Sequence, residues 1–339
     1  MRLKVRPFRV HDALPLAEWI DHLTPASDLC TATSLIHQRR TSPQRKRPLW
    51  LVVLMDGDPV GLGFDEAQVF GGSPGLRRTW IAVRSDHRRR GIGSLLWDRI
   101  EAHAREVGGL ALRSWAVEDQ TDGGRFLRAR EFVPVHRELQ SWIDPTTLDP
   151  RQLERRRAEA EAQGFRVATL RELLPTMESP LRRLFLTADE DTPGHVGETS
   201  VAASTFRRVV LHNPTLDLDL STVVLNGSQP LALCWLKGDL LLGRYVAEFT
   251  ATAKAWRGRG LATLAKLTAL DLAARANVRY GRGGLGSQLM DAAEGWANNR
   301  EIGEIQLHTW EFLEGPLGFY ERRGYMTIER TLVLRLEES

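Results

Sequence analysis

Cysteine is nearly absent from this chain: Cys30 and Cys234 are its only two, far apart and outside any CxxC spacing. That excludes a disulfide framework and a zinc motif, and each thiol is expected as a small buried hydrophobe. An excess of one charge is missing as well. Lys and Arg number 46 against 43 Asp and Glu, a formal net charge of +3, so the composition does not require a nucleic-acid partner. No apolar run approaches the roughly 20 residues that a membrane helix needs, and no secretory leader is visible. A cytoplasmic protein without membrane, metal or nucleic-acid partners is the expectation. The 339 residues suggest two domains.

What the chain does have is a short arginine and glycine signature that occurs twice. The first copy is Arg88-Arg89-Arg90-Gly91-Ile92-Gly93, followed by Ser94, and the second is Arg257-Gly258-Arg259-Gly260-Leu261-Ala262, followed by Thr263. An apolar strand pattern precedes each, Thr79 to Val83 and Tyr245 to Thr250. A helical stripe follows each: Ile92, Leu95, Leu96, Ile100, Ala104 and Val107 in one, Leu261, Leu264, Ala265 and Leu272 in the other. A glycine-rich turn that opens a helix presents backbone N–H groups without intrahelical partners, and the helix dipole draws a phosphate to that end. Glycine also lets the backbone come close to the ligand. A third, weaker copy, Gly281 to Gly286 (GRGGLG), comes soon after the second.

A GxGxxG dinucleotide fingerprint would need a glycine pair in a register that neither main loop offers. Both loops instead resemble the pyrophosphate loop of the GNAT superfamily of N-acetyltransferases: Arg or Gln, two residues, Gly, any residue, then Gly or Ala. Arg88, Gly91 and Gly93 fill that pattern once, Arg257, Gly260 and Ala262 a second time. The resemblance implies an α/β fold of the α+β type, with two tandem acetyltransferase-like units. Each would be a central mixed, mostly antiparallel sheet flanked by helices. It also implies acetyl-CoA (CoA) as cofactor, held by Val83, Arg88, Arg89, Arg90, Gly91, Ile92, Gly93 and Ser94 in the first unit. The counterparts in the second are Thr252, Arg257, Gly258, Arg259, Gly260, Leu261, Ala262 and Thr263.

The boundary between units is readable. Asp144-Pro145 and Asp149-Pro150 punctuate the end of the first, a charged helical stretch follows, and Gly164 ends it. The expected organisation is an N-terminal domain 1–146, a linker helix 147–164, and a C-terminal domain 165–339. The last carries a duplicated phosphate-loop and helix segment at about 280–299. Asp56-Gly57-Asp58 and Asn226-Gly227-Ser228 mark one hairpin in each unit. Ile302 to Trp310 reads as the strand that should follow the second loop's helix, with Asn277 to Tyr280 a further short strand candidate.

In such a family, as the resemblance implies, an acyl group passes directly from acyl-CoA to an amine, and a tyrosine protonates the leaving thiolate. A phenol with pKa about 10 can donate as charge develops on a thiolate whose acid has pKa about 8.5. Tyr320, in Gly318-Phe319-Tyr320-Glu321, stands in the matching position. The first unit has Leu127 there, which cannot donate a proton. Glu248 is the candidate general base, an even number of residues before Thr252 and so on the same strand face. Glu118 and Asp119 are analogous candidates in the first unit.

The sequence therefore points to an acyl-CoA-dependent N-acyltransferase, most simply an N-acetyltransferase, acting on a primary amine of a small molecule. A noncatalytic CoA-binding or scaffold protein is the alternative, supported by Leu127 and by the irregular tail. In the second unit the loop at 257–262 is expected to seat the cofactor, with 285–297 packed outside. Acceptor identity is open, and a monomer or homodimer is the expected state.

Overall fold

The protein is described by a computed structural model that covers residues 3–21, 23, 30–70, 74–117, 121–135, 138–143, 149–192, 201–239, 244–279, 305–310 and 326–328. The chain forms two compact units. Its described residues up to Leu139 build the first, and the second begins at Gln140.

The first unit carries a five-stranded sheet in the order β1 (Leu3–Pro7), β2 (Leu49–Met55), β3 (Asp58–Ala67), β4 (Leu76–Val83), β5 (Ala111–Arg113). Every neighbouring pair is antiparallel except β4 and β5, which are parallel. The Asp56-Gly57 turn closes the β2–β3 hairpin as the sequence expects, with both residues at positive φ. Helices α1 (Ala13–Ile20) and α2 (Ala32–Thr41) cover one face, and α3 (Ile92–Glu106) the other. Strand alternation sorts β4 between them. Trp80 and Ala82 join the core under α1 and α2, whereas Ile81 and Val83 pack toward Ile92 and Leu96 of α3. The short helix α4 (Thr121–Arg128) follows β5.

Two carboxylates on β3 are fully buried and each is answered. Asp65 accepts a bifurcated hydrogen bond from Arg77 Nε at 2.7 and 2.8 Å and lies 2.7 Å from His103 Nδ1. Glu66 accepts from Trp50 Nε1 at 3.2 Å, Gln38 at 3.1 Å, Ser42 and Arg78. Burial pushes the Glu66 carboxyl up, but the Arg78 charge and these hydrogen bonds outweigh it and hold it below its ordinary value.

The second unit repeats the plan: β7 (Phe165–Thr169), β8 (Leu216–Asn226), β9 (Gln229–Asp239) and β10 (Arg244–Thr252) run antiparallel, and β11 (Ile305–Trp310) lies parallel to β10. The strand placed at Ile302 to Trp310 from sequence is thus present. Its helices are α5 (Pro150–Ala162), α6 (Leu170–Glu190), α7 (Ala203–Phe206) and α8 (Leu261–Arg279). Asn277 to Arg279 continue α8, so no strand stands there. Side chains of α8 are buried on more than the expected stripe, Thr263, Lys266 and Thr268 included, because α5 packs against it as well as the sheet. The sheet continues past β11 with β6 (Glu138–Ile143) and β12 (Met326–Ile328) in the order β12-β6-β11-β10-β9-β8-β7. Residues 140–143, read from sequence with the first domain, therefore pair inside the second unit, Trp142 opposite Met326.

Candidate functional site

β4 and β5 pair only briefly. Their parallel register runs Leu76–Ala111, Arg77–Leu112, Arg78–Arg113 and then stops. Beyond it the two chains diverge, and Thr79 to Val83 on one side and Ser114 to Val117 on the other line a cavity of about 550 Å³. Unpaired strand ends create an opening here that neither strand's own sequence announces.

The first arginine-glycine loop closes one end of this cavity. After a 3₁₀ turn at Ser85–His87, Arg88 donates from Nε to the Val83 carbonyl at 3.3 Å, which folds the loop back on the strand it left. Arg89 follows at φ 60° and Gly91, the residue just before α3, at φ 81°. The left-handed backbone at Gly91 favours glycine, and space beside it is open. Gly93 is needed for a different reason: a Cβ there would stand 3.0 Å from the Phe126 ring of α4. Arg88, Arg89, Gly91, Ile92, Gly93, Ser94 and Val83 all line the cavity. Arg90 is exposed beside them.

Other lining residues carried no motif. Arg130 lies with its guanidinium 3.6 Å over the Phe126 ring and donates to the Phe126 carbonyl at 3.1 Å and to Ser94 Oγ at 3.0 Å, pinning α4 to the start of α3. Asp122 stands 3.8 Å from Arg88. Leu127 is buried with Trp97, Leu112 and Phe132. Trp80 and Trp115, one from each diverging strand, are stacked at 5.7 Å between ring centroids and 3° between planes.

The second loop has the same backbone. Arg257 Nε donates to the Thr252 carbonyl at 3.2 Å, five residues back, just as Arg88 does to Val83. Gly258 at φ 77° and Gly260 at φ 74° repeat Arg89 and Gly91. Its surroundings differ. Arg257 donates to Asp191 at 2.6 Å, Arg156 of α5 stands where a Cβ on Gly260 would be 3.3 Å away, and Arg259 lies over Trp256 at 4.7 Å. A carboxylate of the chain's own thus sits on the arginine whose partner in the first loop faces a cavity. Leu261 and Thr263 are buried in α8, and Ala262 beside them is partly so.

Glu248 occupies a bulge, since the β9–β10 register shifts between Ala247 and Phe249. The bulge breaks the period-2 alternation that would have placed it on one face with Thr252. Its carboxylate accepts from Lys237 Nζ at 2.5 Å and is 41% exposed. Tyr320, Glu118, Asp119 and the third glycine copy at 281–286 lie outside the described residues.

The architecture, two sheets each followed from its fourth strand by a phosphate-type loop and a helix, defines an acetyltransferase-like class of fold. It is similar over 99% of the chain to a tandem GNAT protein from the clavulanic acid biosynthesis pathway, with a TM-score of 0.68, 17% identity and 98% of that chain covered. A GCN5-related N-acetyltransferase from Sphaerobacter thermophilus is similar over 99% of this chain and 95% of its own, with a TM-score of 0.64 and 14% identity. The Acetyltransferase (GNAT) family matches residues 16–131 and 277–325. These matched segments make up just under half of the chain, and the fold has the tandem arrangement of the clavulanic acid pathway protein. The second matched segment contains Gly281 to Gly286 and Tyr320 and leaves out Arg257 to Ala262. Among curated proteins none matches the sequence significantly.

Proposed function

We propose that the protein is an acyl-CoA-dependent N-acyltransferase, most simply an N-acetyltransferase, whose working site is the cleft of the first unit, and that its acceptor is a small-molecule primary amine. One observation carries this reading: the cavity between β4 and β5 opens directly at the start of α3, where Gly91 and Gly93 keep the backbone bare and four arginines, Arg88, Arg89, Arg125 and Arg130, border the space. Those residues fit a pyrophosphate. The helix N-terminus offers N–H groups to its oxygens, and charge-assisted contacts from arginine are the strong ones.

When bound, acyl-CoA supplies an activated carbonyl: a C–N bond forms to the amine, the C–S bond breaks, the amine gives up one proton, and the sulfur leaves as the CoA thiol. The chain's part is to hold the two reactants together in the cleft, which converts a bimolecular encounter into a positioned one. Leu127 has no proton to give, so in this unit protonation of the thiolate passes through water. Tyr320 and Glu248 are the acid and base that the sequence offers for the second unit, where Asp191 and Arg156 already engage the loop.

Calorimetric titration with acetyl-CoA tests the assignment by stoichiometry. One site per chain, lost in Gly93→Val and retained in Arg257→Ala, is expected; the reverse pattern moves the site to the second unit. Tyr320→Phe should leave turnover unchanged, and its loss would restore that tyrosine as a catalytic residue. The burial of Leu127 also suits a second reading, a noncatalytic CoA-binding protein, for which binding occurs without release of free thiol in the presence of any amine.

A further inference from the structure

The phosphate loop accounts for one end of the cavity, and the other end is built of different material. Toward α1 and α2 the wall is Leu23, Trp80 and Trp115. The two indoles form one flat stack, and Phe64 lies behind both, 6.4 Å from Trp80 and 5.9 Å from Trp115 between centroids. Trp50 is in turn stacked on Phe64 at 4.8 Å. Arg78, held by the buried Glu66, lies 5.5 Å over Phe64 and 5.7 Å over Trp115. The two indoles are thus packed against other rings before any ligand arrives, which lowers the ordering cost of binding against them.

From this wall, and resting on the acyltransferase reading above, we infer that the acceptor is an arylalkylamine: a compact molecule whose aromatic ring lies against Trp80 and Trp115 and whose amine reaches toward the opening between β4 and β5. A planar ring gains most from a flat indole surface, by offset stacking as well as by area removed from water. Charge argues against a polycation. Among the described residues lining the cavity, Asp122 is the one carboxylate, and it stands 3.8 Å from Arg88. An aminoglycoside or polyamine would find few carboxylate partners there for its several charges.

The experiment measures thiol release from acetyl-CoA by the whole protein with phenethylamine and tryptamine, and with spermidine and kanamycin as polycations. A kcat/KM about tenfold or more higher for the ring amines is expected. Trp115→Leu keeps apolar volume and removes the plane; it should raise KM for the ring amine about tenfold while acetyl-CoA affinity by calorimetry stays unchanged, and Trp115→Phe should recover part of the loss. Preference for spermidine or kanamycin, a KM indifferent to Trp115→Leu, or acetyl-CoA binding with no ring amine turned over would each overturn the inference. Failure of acetyl-CoA to bind the unsubstituted protein would instead sink the acyltransferase reading beneath it.

Discussion

Gly93 and Phe126 are fitted to each other: a Cβ on the glycine would come within 3.0 Å of the Phe126 Cε2 atom. The phenyl ring cannot simply step aside, because Arg130 lies 3.6 Å over its face and is tied to Ser94. The contact joins the loop at the start of α3 to the helix that forms the far wall of the cavity. Gly93→Ala should therefore shift α4 by a few tenths of an ångström and weaken acetyl-CoA binding by about tenfold, or about 1.4 kcal/mol. Gly93→Val should abolish it. Unchanged affinity in the valine variant would place the cofactor elsewhere.

Arg89 holds a left-handed backbone, φ 60°, at the position where the second loop has Gly258. A non-glycine residue in that region carries a cost of about 1–2 kcal/mol, which glycine would relieve while giving up a similar amount in unfolded-chain entropy. Arg89→Gly should thus leave the urea midpoint within about 1 kcal/mol of the parent and yet raise the acetyl-CoA Kd. A variant that binds as tightly as the parent would show that the arginine's charge is not used.

The Asp65, Arg77 and His103 cluster sits inside the first unit, with Asp65 inaccessible to solvent. Arg77 additionally donates to the Lys46 and Arg47 carbonyls at 3.2 and 3.3 Å, so it fastens the loop before β2 to the sheet. Asp65→Asn leaves a buried guanidinium without its counter-charge and should cost about 3–5 kcal/mol. Thermal melting reads this directly, and a loss below about 1 kcal/mol would contradict a buried ionic role.

Glu66 sets a pH dependence of known sign. Its folded pKa lies below the ordinary 4.5 despite burial, so the folded state binds its proton less readily than the unfolded chain. The resulting stabilisation is complete above pH 4.5 and is lost as pH falls through the lower folded value. Urea denaturation between pH 7 and pH 3 should show a decline confined to the acid end, and Glu66→Gln should flatten it. An identical decline in the glutamine variant would assign the effect to other carboxylates, among them Asp12, which Arg6 and the Arg9 N–H hold low against the opposing effect of burial.

The parts legible in the sequence are those governed by neighbours along the chain. Hydrophobic period separates the strand before each loop from the helix after it, Asp56-Gly57 and Asn226-Gly227 specify hairpins, and glycines at Gly91 and Gly260 permit the left-handed step into a helix. These are local backbone and burial preferences, so the repeat and its family could be read directly, and both loops emerged with matching dihedral angles and the same arginine-to-carbonyl bond. Partners distant in sequence were decided only by the tertiary structure. The early end of the β4–β5 ladder opens the cavity, and the fold brings Trp115 against Trp80, seats Asp191 on Arg257, wraps α5 around α8, and draws residues 140–143 into the second unit's sheet. A bulge at Glu248 undid an alternation that the letters alone implied. Each of these depends on which surfaces meet once the sheets form, and the chain's local preferences contain no term for that.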